Sequence, residues 1–134
     1  VQPPKDVATA LGLKGDQVVS YVKRRRLVED SPVVISESYL HPSVSVEHDF
    51  SGSIYKLLVE EYGFELASGN ASIEADAAGP EEASFLWLTT GAPVLRICWL
   101  TLDKNGAGVE FSRSTYRGDR YRYIVNLDPA GESE

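Results

Sequence analysis

The side chains best equipped for chemistry in this chain are cations and carboxylates that fall at strand spacing. Lys23-Arg24-Arg25-Arg26 stands just before a long acidic stretch. Between residues 27 and 95 twelve acidic side chains accompany a single cation, Lys56. Alternate residues of a strand share a face, so Arg24 and Arg26 align with Val22 and Val28, while Glu37 aligns with Val33, Ile35 and Tyr39. A carboxylate in an otherwise apolar row is costly unless a cation meets it. With Asp30-Ser31 as a two-residue hairpin loop, Arg24 faces Glu37 and Arg26 faces Ile35 on one surface. Two arginines against one glutamate leave a positive charge over, which fits a site for a small anion. The structural alternative is an Arg–Glu pair beside a solvated arginine.

Two further clusters follow the same logic. Glu110, Ser112, Ser114 and Tyr116 share one strand face, and such a row is either a solvent face or the lining of a polar pocket. Ser51-Gly52-Ser53 opens an amphipathic helix, whose first N–H groups and positive dipole end attract carboxylate or phosphate. The same serines are also good N-caps, a role worth about 1 kcal/mol.

The elements that must position these residues read as follows. A short helix over 5–11 closes at Gly12. Strand-like runs over 17–28 and 32–40 form a hairpin. The amphipathic helix carries Ile54, Leu57, Leu58 and Tyr62 and stops at Gly63. Residues 65–76 alternate, with Ala67, Gly69, Ala71, Ile73 and Ala75 on a face small enough to admit a helix. Gly79-Pro80-Glu81-Glu82 starts another helix. Residues 94–102 are apolar on both faces and read as a central strand. Strands over 109–116 and 121–127 complete a count of about six, with three helices. That pattern is α+β with a mostly antiparallel sheet.

With 134 residues, the chain is the size of one domain and can bury a core without disulfides or a structural metal. Net charge is −7, with 20 acidic against 13 basic residues, which argues against this segment gripping a nucleic-acid backbone by itself. No apolar run approaches the roughly 18 residues of a membrane span. The single Cys98 fits a reducing compartment, and the expected location is the cytoplasm. The two histidines, His41 and His48, and the lone cysteine offer no metal-ligand spacing. No nucleophile elbow or phosphate-binding glycine loop is present. No cofactor or metal is expected.

Taken in order, these pieces resemble the UbiC transcription regulator-associated (UTRA) domain, the effector-binding domain of HutC-type GntR transcription regulators. The likeness runs from Val7-Ala8-Thr9-Ala10-Leu11-Gly12-Leu13 to residue 127. It is carried by Arg24-x-Arg26 followed by Pro32-Val33 and Glu37-x-Tyr39-Leu40, and by Ala92-Pro93-Val94-Leu95-Arg96-Ile97. Val109-Glu110-x-Ser112 running into Tyr116-Arg117-Gly118-Asp119-Arg120-Tyr121, and Ser53-x-Tyr55 before Tyr62-Gly63, add to it. Ser31 departs from the glycine the family often has before Pro32.

The resemblance implies a chorismate lyase-like fold, a central antiparallel sheet with helices packed on it and a small-molecule pocket. It implies an effector-binding and dimerisation domain over 1–127 and a winged-helix DNA-binding domain outside this chain; the composition of 128–134 is that of a flexible tail. It marks Arg24, Arg26, Glu37, Ser53, Glu110 and Tyr116 as ligand-binding, and Ser51 joins them from the helix start. The expected role is a non-enzymatic sensor, homodimeric, binding a small anionic effector such as a sugar phosphate or carboxylate and meeting DNA only through the missing domain. The alternatives are an enzyme of the chorismate lyase type, which the same fold can host, and a domain that only dimerises.

Overall fold

Apolar alternation broken by turn residues yields five strands among the described residues. The computed structural model describes residues 1–127, and the expected tail over 128–134 lies outside the described residues. In chain order the elements are α1 (Lys5–Leu11), β1 (Ser20–Val28), β2 (Ser31–Leu40), α2 (Ile54–Tyr62), β3 (Leu66–Ala77), α3 (Pro80–Leu86), β4 (Pro93–Asp103) and β5 (Gly108–Arg117). All neighbouring strands run antiparallel in one sheet of order β1-β2-β5-β4-β3. The fold is α+β, as expected. The sixth strand is not formed. β5 already has β2 and β4 on its two sides, and the Gly118 N–H donates to Pro93 O while the Arg120 N–H donates to Arg117 O. These bonds turn the chain away from β5, and residues 121–127 pair with no strand.

The helices divide between the two sheet faces. Val7 and Leu11 of α1 bury against Val19 and Tyr39, with Phe111 and Leu100 beside them. Gly108 permits this close approach, since a Cβ there would lie 2.9 Å from Leu11 Cα. α3 covers the same face further along, where Glu82 reaches Arg96 on β4 and Phe85 lies under the Lys23 ammonium of β1. On the other face α2 packs Ile54 and Leu58 onto Leu40, Val44 and Val109. α2 ends where Gly63 takes φ 69°, a left-handed conformation glycine adopts without strain. The small-residue row on β3 carries no helix among the described residues, and the strand is exposed along nearly its whole length.

One irregularity decides the site. The β1–β2 loop is Glu29-Asp30, both at positive φ (52° and 64°), as a two-residue hairpin turn requires. Pairing starts as Val28↔Ser31 and Leu27↔Pro32, then shifts to Arg26↔Val34, Arg25↔Ile35, Arg24↔Ser36 and Lys23↔Glu37. Val33 is the extra residue of a bulge beside Pro32, where proline has no N–H to give the ladder. That single insertion flips every later side chain to the opposite face.

Candidate functional site

The bulge places Arg24 and Arg26 on the α2 face of the sheet. There they share a surface with Ser36 and Ser38 of β2 and with Glu110, Ser112, Ser114 and Tyr116 of β5, in the rows Arg24–Ser36–Ser114 and Arg26–Val34–Tyr116. The Ser36 and Ser114 hydroxyls are bonded at 2.9 Å. The loop before α2 closes over one side. A cleft of about 450 Å³ lies between them, lined by Arg24, Arg26, Ser51, Ser53, Tyr55 and Glu110. A second cavity of about 580 Å³ adjoins it, sharing Arg24, Arg26 and Ser51 and adding Ser36 and Phe50. Five of the seven sequence-predicted residues therefore meet around one cleft.

Glu37 does not join them. The expected common face for Arg24, Arg26 and Glu37 is corrected by the bulge, which leaves Glu37 on the α1/α3 face opposite Lys23 and Arg113. Its carboxylate accepts a short hydrogen bond from the Tyr21 hydroxyl. Burial, and then the Glu37 charge, raise the Tyr21 phenol well above its usual range. The argument that a carboxylate in an apolar row needs a partner holds; the partner is a phenol rather than Arg24. Tyr116 lies on the correct face but outside the two cavities, its ring stacked on Tyr121 at 3.9 Å between centroids. Burial, with Tyr121 second, raises its phenol, and Arg26 opposes that rise.

Arg24 is the most informative group. Its Nη1 donates to Gly52 O at 3.0 Å and more weakly to Phe50 O at 3.4 Å. Its Nε is buried and has no partner among the described residues. Burial, then the neighbouring Arg26, make the guanidinium less basic than usual, while Glu110 works the other way. An unpaired buried donor on a charged group costs about 1–3 kcal/mol or more. The loop carbonyls orient the arginine, whose Nε stays enclosed and unpaired while the side chain lines the cleft. Glu110 sits nearby and is half-buried. Burial pushes its carboxyl above the usual value, against the opposing effects of Ser38 and Arg24.

The helix start supplies both roles weighed from the sequence. Ser53 caps α2, its hydroxyl oxygen accepting from Lys56 N at 3.1 Å. That hydroxyl still has its own proton to donate into the cleft. The Ser51 N–H is occupied by Asp49 Oδ1 at 3.0 Å, so only its side chain faces the cleft freely. Sequence reasoning missed Ser36, Phe50, Gly52 and Tyr55. Proline inside a strand was an available sign of the bulge that brings Ser36 beside Arg24. The backbone carbonyls of Phe50 and Gly52 carry no sequence signal. No group of three or more His, Cys, Asp or Glu able to hold a metal is found among the described residues, nor is a helix long and apolar enough to cross a membrane.

The fold is thus an α+β domain with a cleft, lined by two arginines, between an antiparallel sheet and a helix start. The family model for the UTRA domain matches residues 1–122, and the chain belongs to that family. Among curated proteins it is 30% identical over 131 residues to the HTH-type transcriptional repressor NagR of Bacillus subtilis (strain 168), covering 96% of this chain and 54% of that protein. It is 27% identical over 125 residues to the HTH-type transcriptional regulator GgaR of Escherichia coli (strain K12), covering 92% and 50%. The chain thus spans about half the length of the curated relatives it matches. A solved structure titled as the ligand-binding domain of a GntR-family transcriptional regulator from Bordetella bronchiseptica superposes with a TM-score of 0.85 at 25% identity, covering 96% of this chain and 84% of that one. The transcriptional regulator (GntR family) from Enterococcus faecalis V583, at 23% identity, shares the fold with a TM-score of 0.87 over 95% and 94%.

Proposed function

We propose that this chain is the effector-sensing and dimerisation domain of a HutC-type GntR regulator, working in the cytoplasm and not as an enzyme. Its effector is a small anionic metabolite held in the cleft between β1 and the start of α2. The observation that carries this reading is the pair Arg24 and Arg26 lining one cleft with the Ser51–Ser53 helix start, Arg24 being held there by two loop carbonyls. A carboxylate or phosphate matches that fork of donors. The Ser51 and Ser53 hydroxyls and the α2 N-terminus add donors from the other wall. Glu110 reads a hydroxyl or amine of the ligand rather than its charged group, because a carboxylate repels an anion. Tyr116 contributes from the edge of the same surface. Glu37 is left out, since it belongs to the other face.

Ligand bridging Arg24 and the helix start ties β1 to the loop and α2. A regulator responds to its effector when two arrangements of the protein bind it unequally. The winged-helix domains of a homodimeric parent protein would read that difference on DNA. The relatives NagR and GgaR carry the names of HTH-type regulators, which supports this reading over an enzyme.

The test is a thermal-shift screen of metabolites followed by calorimetry. Arg26→Ala should weaken the best ligand by about 2 kcal/mol, the worth of a hydrogen bond to a charged group. Glu37→Ala should leave affinity unchanged, and Glu110→Ala should relax which ligands bind. A cationic best ligand, or unaltered affinity in Arg26→Ala, overturns the assignment.

A further inference from the structure

Residues 121–127 present a physical problem that the fold of one copy leaves unsolved. Tyr123, Ile124, Val125 and Leu127 are 50–82% exposed. The segment alternates like a strand, with Tyr121, Tyr123, Val125 and Leu127 at one parity and Arg122, Ile124 and Asn126 at the other. β3 presents the matching problem. It is an edge strand of 12 residues, paired only to β4, and no lysine or proline blunts its free edge. Long open edges of this kind invite another strand.

We infer that residues 121–127 of one copy add a strand to the free edge of β3 in a second copy, each copy giving and receiving one. The inference rests on the dimer reading above and names the segment that makes it. Three features fit donor to acceptor. β3 lacks a partner on its outer side, and residues 121–127, which alternate like a strand, pair with no strand at all. One face of β3 carries the small residues Ala71 and Ala75 around Ile73, with exposed Trp99 alongside on β4. Large Tyr123, Val125 and Leu127 side chains would cover that row without crowding. On the opposite face β3 carries Glu74, which Arg122 at the other parity would meet; Asp76 on that face is already bonded to Arg96. Reciprocal exchange closes a two-fold dimer and pairs part of the free edge of β3 in both copies. The same chain does not cover its own edge. The Tyr121 ring is stacked on Tyr116 of β5, three strand spacings from the free side of β3, or about 14 Å.

The experiment uses the full chain. Sedimentation over a concentration series is compared for the wild type, Val125→Asp and Ala71→Lys. Both substitutions fall at exposed positions, and circular dichroism checks that each variant folds. Each should raise the dimer dissociation constant by about tenfold or more. A photoreactive benzophenone at position 123, in an equal mixture of unlabelled and nitrogen-15-labelled copies, should give mixed-isotope cross-links between the 121–127 peptide and β3. A dimer untouched by both variants, with cross-links elsewhere, overturns strand addition while the dimer reading stands. Cross-links to β3 that never mix isotopes make the segment a sixth strand of its own chain and also overturn it. A chain that stays monomeric at tens of micromolar removes the dimer reading itself.

Discussion

Replacing Arg24 by methionine separates a ligand-binding arginine from a structural one. Methionine keeps most of the stem but none of the donors. Without ligand, the change loses the bonds from Nη1 to Gly52 O and Phe50 O, worth about 1.5–3 kcal/mol as hydrogen bonds to a charged group. It also removes a buried Nε that has no partner, a relief of about 1–3 kcal/mol. The two nearly cancel, so unliganded stability should change by no more than about 1 kcal/mol, or about 3–5 °C in Tm for a chain of this size. Binding should change far more. An anion losing its charge-assisted partner loses about 2–3 kcal/mol, or about 30- to 150-fold in affinity. Ligand at 100 times its Kd adds about 2.7 kcal/mol to the wild type, a rise of about 8–13 °C. After a 100-fold loss the same concentration adds about 0.4 kcal/mol and shifts Tm by about 1–2 °C. Differential scanning fluorimetry with and without the screened ligand reads both quantities. A variant destabilised by well over 2 kcal/mol that keeps its full ligand shift would refute the reasoning and make Arg24 a structural tie to the loop.

Other substitutions probe the groups around this site. Glu110 has a folded pKa above its ordinary 4.5 because of burial, so its penalty is full above the folded pKa and fades as pH falls toward 4.5. Urea midpoints should therefore show the wild type gaining on Glu110→Gln as pH falls from neutral toward 4.5; identical pH profiles would contradict this. Arg96 donates to Glu82 at 2.5 and 2.7 Å and to Asp76 at 2.8 Å, joining α3 to β3 and β4. Arg96→Met should cost about 2 kcal/mol at neutral pH. Arg96 holds the Glu82 carboxyl below its ordinary value, so that stabilisation is present above pH 4.5 and lost as pH falls through the folded pKa. The wild type should therefore converge on the variant in acid, and a constant gap in denaturant titrations would argue against the ion pair. Trp87 ends α3 at φ 58° and is 58% exposed. Trp87→Gly should stabilise by about 1 kcal/mol by relieving a left-handed residue, and a lower Tm would show that the indole has a partner.

Much of the architecture was legible because each element combines periodicity with a stop signal. The amphipathic run ending at Gly63 and the Gly79-Pro80-Glu81-Glu82 start gave α2 and α3, and 94–102 read as interior because both of its faces are apolar. The missing sixth strand shows the limit of that method. Residues 121–127 have the composition and alternation of a strand, but alternation specifies only which sides are apolar. It cannot supply a neighbour with free N–H and C=O groups, and β5 had none left once β2 and β4 were in place.

The site was lost and recovered through one residue. A hairpin with no bulge, whether its loop is Asp30-Ser31 or the observed Glu29-Asp30, sets Arg24 on the same face as Glu37, because both registers pair even positions with odd ones. Val33 changes that parity. It sets Arg24 against Ser36 and sends Glu37 across the sheet to Tyr21. Pro32 was the visible cue, since a proline within a strand interrupts the ladder where a bulge can sit. Glu110 and Tyr116 escaped the error, because their shared face follows from spacing within β5 and needs no cross-strand register. Inferences within one strand survive bulges, and those across a hairpin depend on every residue between them and the turn. Arg24 and Arg26 were assigned to one face by the first kind of argument, and Glu37 was joined to them by the second.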